Sequence, residues 1–164
     1  MTRIWTTSGF LDNDPWDLST DGSGEGARVL SLDEALELAA GSNEPIAVRI
    51  EPADDVTRLA PVVDRVVFVA VNFPAFSDGR AFSHASLLRD RLGYTGEIRA
   101  IGGVLLDQVP FMLRVGIDSV ATSHGPTIER LAENNLPGIK LHYQPAAAES
   151  SPVAGYSWRR RSAP

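Results

Sequence analysis

The stretch of this sequence best suited to chemistry is residues 72–84, which read NFPAFSDGRAFSH. Asp78 begins a tight turn, and Arg80 follows it with a planar guanidinium group. Ser83 adds a hydroxyl group in the first turns of the helix that this stretch begins. Free amides at a helix N-terminus, together with an arginine and a hydroxyl, favour an oxyanion-binding site. The structural alternative is that Asp78 caps the helix and Arg80 pairs with Asp78 or with another carboxylate at the rim of the sheet.

A second candidate region, residues 96–108, carries a charged side chain inside an apolar strand. Arg99 lies in the middle of that strand, and a buried arginine without a partner destabilises the fold by several kcal/mol. The carboxylates of Asp107 and Asp78 are the partners that we expect for it. Gly102, at the end of the strand, allows the backbone to approach a ligand closely. The structural alternative is an internal ion pair followed by a tight turn.

Other polar residues complete the set of candidates. His124 follows a predicted strand and has an unperturbed pKa near neutrality, which suits an acid or base, although a histidine without an orienting carboxylate is more often incidental. The predicted anion- or ligand-binding residues are Asp78, Arg80, Ser83, Arg89, Arg99, Gly102, Asp107 and Gln108, with Asn72 and His124 as weaker candidates. No catalytic residue is assigned, so whether the protein is an enzyme stays open.

The composition excludes several kinds of site. The sequence has no cysteine, which excludes disulfides, thiolate zinc sites, iron–sulfur ligation and a cysteine nucleophile within the chain. Its three histidines are far apart, at His84, His124 and His142, so no metal site is predicted. Neither a dinucleotide fingerprint nor a P-loop occurs. No cofactor is therefore evident, while flavin or NADPH stays compatible with the sequence.

The charges exclude one class of partner. The 15 basic residues against 21 acidic ones give a net charge of −6, and no basic stripe with interleaved aromatic residues indicates nucleic-acid binding. Acidic residues outnumber basic ones by twelve to three through Asp55, whereas the remaining sequence has nine acidic and twelve basic residues. No apolar run reaches the ~18 residues of a membrane span, and no signal peptide begins the sequence. We therefore expect a cytoplasmic protein.

Alternating strands and helices must position these candidates. A capping box, Ser31–Glu34, begins the first predicted helix, and the apolar run Val66–Val71 is typical of a parallel strand buried on both faces. The predicted strands are 46–50, 66–71, 98–101, 117–121 and 139–143, and the predicted helices are 31–40, 54–60, 80–92, 104–115 and 126–135.

This alternation predicts an α/β fold in which compact βα repeats form a mostly parallel sheet of four to five strands. The sheet is expected to be half-(β/α)-barrel-like or flavodoxin-like, and ligands bind at the carboxyl ends of such strands. We expect an irregular segment over 1–27 with a short strand or hairpin near 3–11, one α/β domain over 28–143, and a disordered or surface-lying tail over 144–164. Open sheet edges favour a homodimer.

Three consecutive motifs resemble a family of short bacterial proteins, domain of unknown function 934. They are FPAFSDGRAFS at 73–83, LLRDRLGYTGEIRAIG at 87–102 and VLLDQ at 104–108, within a resemblance that runs from Arg28 to Gln144. The family's motif positions fall here on Asp78, Arg80, Ser83, Arg89, Arg99, Asp107 and Gln108. Where the family has an acidic residue after the glycine of the third strand, this chain has Gly103.

The resemblance implies a role in sulfur metabolism, since family members are described as oxidoreductases of sulfite reduction. It implies an accessory protein of assimilatory sulfite or sulfate reduction that binds an oxyanion or a phosphorylated small molecule at the carboxyl-end rim of the sheet. One alternative is a non-catalytic interaction module for sulfite reductase or another sulfur-assimilation enzyme. A further alternative is a cofactor-dependent oxidoreductase. If the family's acidic residue is catalytic, Gly103 implies that this protein lacks that activity.

Overall fold

A mostly parallel β-sheet of seven strands forms the centre of the computed structural model. The structure describes residues 2–19, 24, 26–134 and 136–138. The strands are Arg3–Thr6 (β1), Gly9–Phe10 (β2), Trp16–Asp17 (β3), Ala27–Arg28 (β4), Leu30–Ser31 (β5), Ile46–Ile50 (β6), Val66–Phe73 (β7), Glu97–Gly102 (β8) and Ser119–Thr122 (β9). Strands β3 and β4 form a separate two-stranded parallel ladder, and the other seven make the central sheet.

The described helices lie mostly where the sequence predicts them. They are Leu32–Gly41 (α1), Arg80–Asp90 (α2), Val109–Arg114 (α3) and Gly125–Ala132 (α4), with 3₁₀ segments at Val56–Arg65 and Leu106–Gln108. The capping box at the start of α1 is confirmed. The helix predicted from residue 54 is instead a 3₁₀ segment containing Pro61, which lacks the N–H that a regular α-helix needs there. The helix predicted over 104–115 is divided, since Pro110 lies at the start of α3.

Strands β5 to β9 lie side by side in sequence order and run parallel, which confirms the α/β class. The expected N-terminal hairpin is also present as β1 and β2, and β1 pairs antiparallel with β9. The sheet therefore has seven strands, not four to five. The predicted number was too low because β2 and β5 contain only two residues each and carry no periodic pattern that would predict a strand. A flavodoxin-like sheet changes direction in its strand order, and the sequential order does not confirm that alternative.

The two faces of the sheet are covered by different parts of the chain. On one face, Val69, Val71 and Phe73 of β7 pack in a core with helical residues such as Leu88. On the other, Phe68 and its neighbours form a second apolar cluster to which no described helix contributes a residue. We call this second face, which carries Ala47, Phe68, Ala70, Ile101 and Ala121, the helix-free face. Its chemistry can differ from that of the core because, in the part of the chain that the structure describes, no layer of helices covers it.

The N-terminal segment covers the middle of the helix-free face. The Trp16 ring stacks on Phe68 with 4.6 Å between ring centroids, and β3 pairs with β4 beside it. The predicted strand 139–143 and the predicted tail 144–164 lie outside the described residues, and the division into segments 1–27, 28–143 and 144–164 stays a prediction. None of the described helices has the length and apolar character needed to cross a membrane.

Candidate functional site

Three neighbouring parallel strands bring polar residues to one edge of the sheet. Glu51 follows β6, Asn72 lies near the end of β7, and Gly102 ends β8. The register pairs Phe73 with Gly102 across β7 and β8, so these carboxyl ends are level. Because side chains alternate along a strand, Arg49 points to the face opposite the buried Val48 and Ile50. Polar side chains from β6 and β7 therefore meet on the helix-free face.

A cavity of about 300 Å³, which we call the carboxyl-edge cavity, opens there. It is lined by Thr2, Leu18, Arg49, Asn72, Ile101, Gly102, Ala121 and Ser123. A smaller cavity of about 160 Å³ shares Leu18 and Arg49 with it and is also lined by Ser19, Arg28, Val29, Ser31, Glu34 and Glu51. Arg49 thus lies at the boundary between the two spaces.

Glu51 links the polar side chains at this edge. Its Oε1 accepts a hydrogen bond of 2.5 Å from Nε of Arg49, and its Oε2 accepts one of 2.6 Å from Nδ2 of Asn72. Within the described residues, Nη1 and Nη2 of Arg49 have no hydrogen-bond partner, and the side chain is 25% exposed. Oδ1 of Asn72 also lacks a partner there, although Asn72 is only 9% exposed. Among the described residues, two donor nitrogens of Arg49 and one acceptor oxygen of Asn72 at the cavity are therefore without a hydrogen-bond partner.

Gly102 is needed at this edge for a backbone reason. Its φ of +92° lies in the region that favours glycine, and a Cβ atom there would overlap the carbonyl oxygen of Phe73 and lie 2.7 Å from Oδ1 of Asn72. The next residue, Gly103, donates its N–H to the same carbonyl oxygen at 2.6 Å. The backbone after β8 consequently crosses close over the end of β7, and Gly102 lines the cavity, as a ligand-binding candidate should.

Asp78 and Arg80 bind each other instead of meeting the carboxyl-edge cavity. Nε and Nη2 of Arg80 donate to the two carboxylate oxygens of Asp78 at 3.0 and 2.7 Å. These hydrogen bonds from Arg80 are the main reason why the pKa of Asp78 falls from 3.8 to about 2. Ser83 is exposed on α2. This arrangement matches the ion pair of the structural alternative, whereas the N-cap of α2 is Gly79, where no side-chain hydrogen bond caps the helix.

Gln108 supports the loop between β7 and α2. Its Nε2 donates to the carbonyl oxygen of Phe76 at 2.7 Å, and its Oε1 accepts from the N–H of Leu105 at 3.3 Å. The Phe76 ring is 66% exposed on this loop. Asp107 is exposed on the neighbouring 3₁₀ segment. The two motif residues thus lie at the carboxyl edge without lining the cavity.

Arg89 lies at the opposite, amino edge of the sheet. Its guanidinium donates to the carbonyl oxygens of Gly116, Tyr94 and Gly96 at 2.9, 2.6 and 2.9 Å, and to Oδ2 of Asp118 at 2.6 Å. Burial raises the pKa of the Tyr94 phenol, which lies in the same cluster. All three guanidinium nitrogens are occupied, so Arg89 ties together the loops that precede β8 and β9.

Arg99 is fully buried in the middle of the helix-free face. Its partners are Asp14, whose two oxygens each lie 2.8 Å from Nη1, and Glu97, whose Oε1 lies 2.8 Å from Nη2. The predicted partners, Asp107 and Asp78, were therefore wrong. Those aspartates lie at the carboxyl edge, whereas the N-terminal segment brings Asp14 directly over the strand.

Two histidines have defined environments away from the cavity lining. Nδ1 of His124, the residue before α4, lies 2.8 Å from Oγ1 of Thr127. His84 is buried on α2, its Nδ1 has no hydrogen-bond partner within the described residues, and burial lowers its pKa. No group of three or more potential metal ligands occurs among the residues that the structure describes.

Sequence reasoning missed Arg49 as a candidate, although the signal was present. The residues of β6 and the following position read IAVRIE, in which alternate apolar side chains enter the core. A period of two then assigns Arg49 and Glu51 to the same, non-core face. The other missed residues are Thr2 and Leu18, which also line the cavity.

Comparison with known proteins identifies the family. The model of a family described as a bacterial protein of unknown function (DUF934) matches residues 47–154, which is 108 of the 164 residues. The search of curated proteins and the search of solved structures each give no match. The matched region contains Arg49, Asn72 and Gly102 of the carboxyl-edge cavity. Because the match extends over more than half of the sequence, the chain belongs to the DUF934 family of bacterial proteins.

Proposed function

We propose that this protein binds a small oxyanion or a phosphorylated small molecule in the carboxyl-edge cavity. The observation that carries the proposal is the pair of unpartnered Arg49 amino groups at the wall of a cavity of about 300 Å³. A guanidinium fork suits the oxygens of sulfate, sulfite or phosphate. Ligand pockets span roughly 300–1,000 Å³, so this cavity suits one small molecule better than a dinucleotide.

The position in the fold supports the same proposal. Ligands of parallel α/β proteins bind beyond the carboxyl ends of the strands, which is where β6, β7 and β8 meet the cavity. We further propose that β5 to β9, in sequence order with one helix-free face, form a half-barrel-like arrangement. In a complete barrel the corresponding face is the interior, whose upper end holds the active site.

The proposed biological role is that of an accessory protein in assimilatory sulfite or sulfate reduction. The motifs at 73–83 and 87–102 carry the resemblance from which this role follows. Sulfite and sulfate are oxyanions that an arginine fork can bind. A cofactor-dependent oxidoreductase using flavin or NADPH has less support, since either cofactor is larger than the small molecule that the cavity suits.

One observation favours a second candidate, a non-catalytic interaction module for sulfite reductase or another sulfur-assimilation enzyme. Phe76 is 66% exposed while Gln108 holds its carbonyl oxygen. Aromatic anchors of this kind are enriched in protein interfaces. Co-purification of the intact protein with sulfite reductase tests this candidate, and we expect Phe76→Ala to abolish it while Val67→Ala, a change of another exposed apolar residue, does not.

The anion-binding proposal is tested by thermal unfolding in sulfate, sulfite and phosphate at constant ionic strength. A ligand at roughly ten times its Kd stabilises the folded state by about 1.4 kcal/mol. We expect the midpoint to rise for the wild type and for Arg58→Ala, a matched control in which an exposed arginine paired with Asp33 is removed. Arg49→Ala should remove the response. If neither these anions nor glycerol 3-phosphate, a phosphorylated small molecule, raises the wild-type midpoint above a sodium chloride control, the proposal is wrong.

A further inference from the structure

The carboxyl-edge cavity offers acceptors as well as donors. Arg49 contributes unpartnered N–H groups, whereas Asn72 contributes an unpartnered carbonyl oxygen and the carboxylate of Glu51 lies between them. We propose that the ligand is an organic anion with hydroxyl or amino groups next to its charged group, and not a bare inorganic oxyanion. This inference rests on the proposed function and narrows its ligand class.

The orientation of the Asn72 amide determines which of its atoms a ligand can meet. Nδ2 donates to Glu51 at 2.6 Å, so the other end of the amide, Oδ1, lies beside the α-carbon of Gly102, where both residues line the cavity. Asn72 is 9% exposed, and its Oδ1, which has no protein donor among the described residues, is left to accept a hydrogen bond at the cavity. A ligand with an N–H or O–H group would complete this pairing. Sulfate and fully ionised sulfite have only acceptor oxygens and cannot do so, and hydrogen phosphate carries its single O–H on the charged group itself.

The charges beside the cavity are already balanced within the protein. Arg49 is already paired with Glu51, whose side chain is 45% exposed, so the two charges cancel before any ligand arrives. The smaller cavity beside them contains another balanced pair, Arg28 and Glu34, at 2.8 Å. A bare dianion would be attracted by Arg49 and repelled by Glu51 at the same time. Hydrogen bonds from ligand hydroxyl groups to Glu51 and Asn72 offset that repulsion.

The remaining cavity groups fit the same ligand class. Thr2 and Ser123 carry hydroxyls that can both donate and accept, and Leu18, Ile101 and Ala121 present apolar surface to a carbon skeleton. An inorganic oxyanion has no carbon atoms to pack against the apolar part of the cavity wall. A short hydroxylated phosphate monoester or hydroxy acid can contact both the polar and the apolar parts of the wall.

The test compares two ligands of equal charge and chain length. Isothermal titration of the intact protein with glycerol 3-phosphate and with propyl phosphate isolates the contribution of the hydroxyl groups. We expect glycerol 3-phosphate to bind about tenfold more tightly than propyl phosphate, which corresponds to one satisfied hydrogen bond. Inorganic phosphate should bind more weakly than glycerol 3-phosphate.

Variants assign the preference to the proposed residues. Asn72→Leu removes one of the two acceptors and should reduce the difference in affinity between the two phosphate esters. Glu51→Gln keeps the side-chain shape, and it should strengthen inorganic phosphate binding because it removes the opposing charge; this second variant keeps the test informative if Asn72→Leu does not fold. Asp33→Asn, which removes an exposed carboxylate paired with Arg58, is the matched control and should change neither affinity.

The outcomes separate the inference from the proposed function. If both phosphate esters bind equally to the wild type and binding disappears in Arg49→Ala, the hydroxyl inference is overturned while anion binding stands. If inorganic phosphate binds as tightly as glycerol 3-phosphate, the inference is overturned in the same way. If none of the three ligands binds, the proposed function fails and the inference fails with it.

Discussion

The amino and carboxyl edges of the sheet each hold an arginine, and they use it in opposite ways. At the amino edge, the guanidinium of Arg89 donates to three carbonyl oxygens and to Asp118. At the carboxyl edge, Arg49 donates through Nε to Glu51, and among the described residues its other two nitrogens have no partner where they meet a cavity. A saturated guanidinium stabilises the fold, whereas an unsaturated one can bind a ligand. The difference in hydrogen bonding, and not the residue type, separates the two roles.

The largest expected effect is at the amino edge. Arg89→Ala leaves three carbonyl oxygens and Asp118 without this donor, so we expect the free energy of unfolding to fall by about 3 kcal/mol. Chemical denaturation measures it. The exposed Arg91 on the same part of the chain is the control, and Arg91→Ala should change stability by less than about 0.5 kcal/mol. Equal losses in the two variants would contradict the structural role of Arg89.

The next effect is a backbone one at the carboxyl edge. Gly102→Ala places a Cβ against the Phe73 carbonyl oxygen at a φ of +92°, and we expect a loss of about 2 kcal/mol. Gly41, at the end of α1, has no atom within 4 Å of an added Cβ and is the matched control. Gly41→Ala should leave the urea midpoint unchanged or raise it. A tolerated Gly102→Ala would show that the close backbone crossing is dispensable.

Arg49→Ala should weaken ligand binding more than it lowers the free energy of unfolding. The variant loses one partly exposed ion pair with Glu51, which contributes less than about 1 kcal/mol to stability. Denaturation and ligand titration on the same preparation measure both quantities. A stability loss as large as that of Arg89→Ala would place Arg49 among the structural arginines.

The smallest effect concerns Asp78, also at the carboxyl edge. Hydrogen bonds from Arg80 lower its pKa from 3.8 to about 2, so the charged carboxylate stabilises the fold above pH 3.8. That contribution is lost as the pH falls toward 2. The stability difference between wild type and Asp78→Asn should therefore be largest above pH 4 and vanish near pH 2, as urea titrations at successive pH values would show. A difference independent of pH would exclude the ionised pair as its source.

Local patterns predicted much of the fold. The capping box at Ser31 fixed the start of α1, and the predicted strand 46–50 has the bounds of β6. The apolar run from Val66 correctly indicated a central strand, because burial on both faces requires apolar residues at every position. A cavity does lie at the carboxyl ends of the strands, where the sequence led us to expect a ligand, and binding there stays a prediction.

Contacts between distant residues were beyond those patterns. Asp14 and Arg99 are separated by 85 residues, and the irregular N-terminal segment gave no sign that it would cross the sheet. Arg89 lies near the end of α2, and the sequence pattern could not predict where that helix end lies relative to β9. Arg49 was overlooked because it lies inside a strand whose neighbours are apolar. In each case the deciding information was which face or edge the chain reached.

The pairing of β1 with β9 has a consequence for the order of events during synthesis. Trp5 lies opposite Val120, so β1 leaves the ribosome well before β9, the strand with which it pairs. At roughly 5–20 residues per second, that interval is roughly 6–23 seconds. Strands β5 to β8 can meanwhile assemble in the order in which they emerge. We therefore expect the N-terminal hairpin to join last, with the indole of Trp5 leaving water as the closing step of folding.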